Sequence, residues 1–88
     1  MKFELGQMVA TPGALQYMKD NNLSVISILS RHANGDWSDM DKEDAMSNYQ
    51  ATQTGGRIFS SFKVGPDKLW VITEADRSST CILLPDEY

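Results

Sequence analysis

The chain has 88 residues, of which 41% are hydrophobic and 23% charged, and carries a net charge of −4. A chain this short builds one core, burying about 60 to 65% of the surface its unfolded form exposes, which excludes two domains and gives a single domain over residues 1–88. The acidic balance and the lack of any lysine or arginine cluster argue against duplex DNA as a partner, because phosphate neutralisation supplies most non-specific DNA affinity.

The single cysteine, Cys81, argues against the disulfide framework of small secreted domains and for a reducing compartment. Met1 to Met8 hold no apolar signal-peptide core, and no run approaches the length of a membrane span. A cytoplasmic protein with no membrane contact is expected.

In chain order, Leu5 to Val9 read as a short opening strand. Thr11-Pro12 then starts a helix, since threonine caps free N–H groups and proline suits the first helical position. Leu15 and Met18 share one face of it, and Asn21-Asn22 ends it. Ser24 is a second N-cap candidate, with Val25, Leu29 and His32 on one helical stripe. Val-Ile-Ser-Ile is equally compatible with a strand, so residues 24–32 stay open between the two forms. Gly35 ends this element. A third helix runs from Asp39 or Asp41 to about Thr54, with Ala45, Tyr49 and Thr52 inward, until Gly55-Gly56 breaks it.

From Arg57 the hydrophobic period changes to two. Residues 57–63, 69–74 and 80–84 are rich in β-branched and aromatic side chains and are separated by turn formers. The expected fold is α+β: two to three short helices packed on one face of a small antiparallel sheet, whose C-terminal part is a three-stranded meander. Its core should hold Ile58, Phe62, Ile72 and Leu84 together with Leu15 and Leu29.

The polar candidates fall in three places. Arg31, His32, Asp36 and Trp37 follow the second element. Arg57 opens the sheet, and Glu74, Asp76 and Arg77 form the hairpin before the last strand. A histidine at the edge of an apolar stripe commonly has a structural role, Trp37 suits a buried ring with a partnered indole N–H, and Asp36 suits a cap. The hairpin is denser in polar groups than its turn requires. That excess suggests one site shared between the hairpin and the loop from Arg31 to Trp37. No phosphate-binding loop, dinucleotide fingerprint, nucleophile elbow or zinc motif occurs, so no metal and no cofactor are expected.

The segments Thr11-Pro12-Gly13-Ala14-Leu15, Arg31-His32, Gly35-Asp36-Trp37, Glu43-Asp44, Asn48, Gly56-Arg57-Ile58, Trp70 to Ser78 and Thr80 to Tyr88 carry a resemblance over nearly the whole chain. It resembles a family of small bacterial proteins usually labelled hypothetical or plasmid-related. Ser38 stands where that family often has glycine. The resemblance implies a bacterial, often mobile-element, setting and no mechanism.

Two functions fit these residues. The first is a non-catalytic binding module, an accessory protein of a plasmid or mobile element, that takes a protein or a small anionic ligand through Arg31, His32, Asp36, Trp37, Arg57, Glu74, Asp76 and Arg77. The second is a small metal-independent nuclease or toxin with His32 and Glu74 as acid and base and Arg57 and Arg77 stabilising the transition state.

Overall fold

A computed structural model describes residues 2–88. Its elements are β1 (Gln7–Ala10), α1 (Pro12–Asp20), α2 (Val25–Ala33), α3 (Lys42–Thr54), β2 (Ile58–Val64), β3 (Asp67–Thr73), β4 (Ser79–Leu83) and a terminal 3-10 turn (Pro85–Glu87). The fold is α+β, and residues 24–32 resolve to a capped helix.

The local chemistry explains the helix ends. The Thr11 side chain accepts from the Ala14 N–H with Pro12 in the first turn, and the Ser24 side chain accepts from the Ser27 N–H. Gly55 closes α3 in the left-handed conformation at φ 84°, where a side chain would be strained. No described helix is long and apolar enough to cross a membrane.

The strand order is β1-β4-β3-β2. The last three strands form the antiparallel meander, but β1 runs parallel to β4, so the sheet is mixed and not purely antiparallel. The reason is topological. Three helices and two strands separate β1 from β4 along the chain, leaving room for the crossover that parallel pairing needs.

Helices α1 and α2 cover one sheet face, where Ala14, Met18, Ile28 and Leu29 meet Phe62, Leu69, Val71 and Ile82. Helix α3 lies along the edge of β2. Its Asn48 side chain both donates to the Phe59 carbonyl (2.7 Å) and accepts from the Phe59 N–H (3.0 Å), replacing a neighbouring strand. The Asp39 carboxylate accepts from the Lys63 N–H farther along the same edge.

Several facings differ from the sequence reading. Leu15 is 47% exposed, because Ala14 and Met18 supply the inward face of α1. Asn48 and Ala51, not Tyr49, face inward from α3, and Leu83 is buried more deeply than Leu84. Strand alternation places Ile58 and Phe62 on the helix-covered face and Ile72 on the other. Both faces therefore carry buried apolar residues.

Candidate functional site

His32 is fully buried and sits at the centre of a directed hydrogen-bond chain. The Thr80 hydroxyl donates to the Leu5 carbonyl (2.7 Å), so its oxygen accepts from the Thr73 hydroxyl (2.6 Å). Thr73 has then used its only proton and must accept from His32 Nε2–H (2.8 Å). That leaves Nδ1 as an acceptor for the Ser60 hydroxyl (2.6 Å), whose oxygen accepts in turn from the Trp37 indole N–H (2.8 Å). The Leu5 end thus selects the neutral Nε2–H tautomer, and the Ser60 hydroxyl is able to satisfy it. Burial lowers the His32 pKa to about 4, so the ring is uncharged at neutral pH.

Arg31 and Asp36 form a close ion pair at 2.7 Å, with Asp39 3.5 Å away and the guanidinium 4.5 Å from the centre of the Phe62 ring. Hydrogen bonds from Arg31 and Ser38 hold the Asp36 carboxyl below its ordinary pKa. Ser38 contributes a side-chain bond to Asp36 (2.8 Å).

Arg77 also acts as a brace. Its guanidinium donates to the carbonyls of Gly56 (2.6 Å) and Ala51 (3.1 Å), neutralising the negative end of α3 and tying the hairpin to it. Arg77 has φ 61°, an uncommon conformation for a side chain of this size. Gly6 allows the N-terminal segment to cross that hairpin, since a Cβ there would lie 2.3 Å from the Arg77 carbonyl oxygen. Asp76 accepts from the Ser78 N–H in the turn, and hydrogen bonding from the Ser78 side chain and backbone holds its carboxyl below the ordinary pKa.

Arg57 and Glu74 lie on the opposite side of the sheet from His32. They are 3.7 Å apart and half exposed, a pair worth about 0 to 1 kcal/mol. Arg57 also donates to the Tyr88 hydroxyl (3.3 Å), which raises its pKa. The four residues His32, Arg57, Glu74 and Arg77 are therefore not brought to one point. His32 is enclosed, Arg77 is engaged with backbone carbonyls, and the sheet separates the ring from Glu74. The loop and the hairpin do approach each other, through the Phe3 ring 5.1 Å from His32 and 5.7 Å from the Arg77 guanidinium, but the junction is packed interior.

The open sheet face offers a different site. Phe59 and Trp70 meet edge to face at 4.8 Å, and Trp70 meets Tyr88 at 5.8 Å. Beside them a groove of about 600 Å³ runs between the sheet and α3. Arg57, Lys63 and Lys68 project from the sheet side, and Asp39, Asp41 and Asp44 line the other. Sequence reading missed Phe59, Trp70, Lys63 and Lys68 as site residues. Their signal was the alternation of β2 and β3, which places two aromatic rings and two lysines on the face away from Phe62 and Val71.

No family model, curated protein or solved structure matches the chain.

Proposed function

We propose that this chain is a non-catalytic binding module, acting in the cytoplasm as an accessory protein of a bacterial plasmid or mobile element, and that its contact surface is the groove on the open sheet face. One observation carries this reading. The polar residues best suited to chemistry are consumed in holding the fold together, whereas Phe59, Trp70 and Arg57 stay partly accessible beside a groove walled by both charge signs. Aromatic side chains and arginine around a concave surface are the composition of interface hot spots.

The occupant that suits the groove is a protein segment. A bare phosphate chain attracted by Arg57, Lys63 and Lys68 would face Asp39, Asp41 and Asp44 across the same groove, while a peptide carrying both signs pairs with each wall.

A photo-crosslinking residue at Ser61, inside the groove, tests the reading in bacteria that carry the gene on its plasmid. Gln53, on the opposite side of α3 from Asn48, is the control position. Ser61 should capture a discrete polypeptide that Gln53 does not, and Lys63→Glu with Lys68→Glu should abolish the capture. Equal background labelling at both positions, or cleavage of RNA by the purified protein, would overturn the proposal.

A further inference from the structure

We infer that β1 is a self-pairing edge, and that two copies of this chain join there, antiparallel about a two-fold axis at Val9, into one continuous eight-stranded sheet. This inference is independent of the groove and of its occupant.

The two sheet edges are treated differently. On β2, Asn48 and Asp39 occupy backbone groups that an incoming strand would need. On β1 nothing comparable is present among the described residues. The Gln7 N–H bonds to Ser78 and the Thr11 N–H to Ile82, so by strand alternation the peptide groups of Gln7, Val9 and Thr11 face β4. Those of Met8 and Ala10 point outward, offering two donors and two acceptors.

That spacing is self-complementary. In an antiparallel pair centred on Val9, Met8 of each copy stands opposite Ala10 of the other, and each pair exchanges two hydrogen bonds, four in total. Val9 faces Val9 across the axis in the close, non-hydrogen-bonded position. Met8, opposite Ala10, overhangs a hollow of about 210 Å³ whose lining includes Leu15, Val25 and Leu29.

The self-complementary register selects a second copy, and the charge distribution admits it. Two chains of net charge −4 repel, yet residues 5–18 and 21–30 contain no charged side chain, and the fold places both runs beside this edge. Met8 is 57% exposed, Val9 43%, Leu15 47% and Ile26 79%, with Ile26 one turn from Leu29 on the same flank of α2. Together they expose roughly 400 Å² of largely apolar surface per copy, short of the ~800 Å² per partner of a standard interface, so the dimer should be weak, with a Kd of roughly 1 to 100 µM.

Sedimentation of the full-length chain across roughly 1 to 200 µM should show a concentration-dependent shift from one chain mass to two. Val9→Lys sets two like charges against each other on the axis and should stay monomeric throughout. In a Cys81→Ser background, Val9→Cys should form a disulfide-linked dimer under diamide oxidation, while Gln53→Cys should not. A wild-type protein monomeric over the whole range overturns the inference, as does a dimer that Val9→Lys leaves intact. Should Val9→Lys fail to fold, absence of the Val9→Cys crosslink overturns it equally.

Discussion

The Nε2–H of His32 donates to Thr73 Oγ1 across 2.8 Å, joining residues 41 positions apart within the interior. A protonated ring would place two N–H groups there. Nδ1, which now accepts the Ser60 proton, would become a donor, and a charge would be stranded away from water.

This geometry makes stability pH-dependent. The folded pKa of His32 is lowered to about 4 from the ordinary 6.5, so between these values the unfolded chain binds more protons than the folded one. The stabilisation is complete above pH 6.5 and is lost as pH falls toward 4, by about 3 kcal/mol in all. From pH 7 to 5.5, where carboxylates contribute little, unfolding free energy should drop by about 1 kcal/mol in urea titrations. His32→Gln should be less stable at neutral pH but nearly flat over that interval. A wild type equally flat would show that the ring titrates normally.

Phe62 is fully buried between the sheet and its helices, beneath the Arg31 guanidinium. Phe62→Ala should cost about 3 to 5 kcal/mol and lower the Tm by roughly 15 °C or more. A melting point within a degree or two of wild type would contradict the packing described.

Arg77→Ala should destabilise the protein by about 1 to 3 kcal/mol, because the Gly56 and Ala51 carbonyls lose a charged donor. Arg77→Gly loses the same bonds but relaxes the positive φ, so it should be up to about 1 kcal/mol less damaging than alanine. Thermal melts of the two variants compare the backbone and side-chain contributions directly. Equal loss in both would mean that the strain relieved at residue 77 is no larger than the extra chain entropy glycine loses on folding.

Asn48→Ala removes both bonds to the Phe59 peptide and should cost about 2 to 3 kcal/mol. Hydrogen exchange gives the sharper readout. The Phe59 amide should exchange far faster in the variant, while Ile72, interior to the sheet, should follow only the global loss of stability.

Much of the fold was legible because its determinants are local. Thr11 and Ser24 cap the helices they precede, Gly55 ends α3, and a period of two from Arg57 onward marks the three-stranded meander. The polar residues of the candidate site were visible as residues but not as roles. His32, Trp37 and Arg77 stand out in the sequence, yet their partners Ser60, Thr73, Gly56 and Ala51 are distant in the chain.

What the sequence by itself determined is where α1 begins, where α3 ends and that the last three segments are strands, since a cap, a left-handed glycine and an alternating pattern act within a few residues, whereas residues 24–32 took their helical form from packing. Tertiary structure alone decided that β1 joins β4 in parallel, that Leu15 faces outward, that Arg77 braces α3, and that Phe59 and Trp70 flank a groove. Those outcomes depend on which distant surfaces meet. A hydrogen-bonding or apolar side chain takes its role from whatever the packed chain places against it.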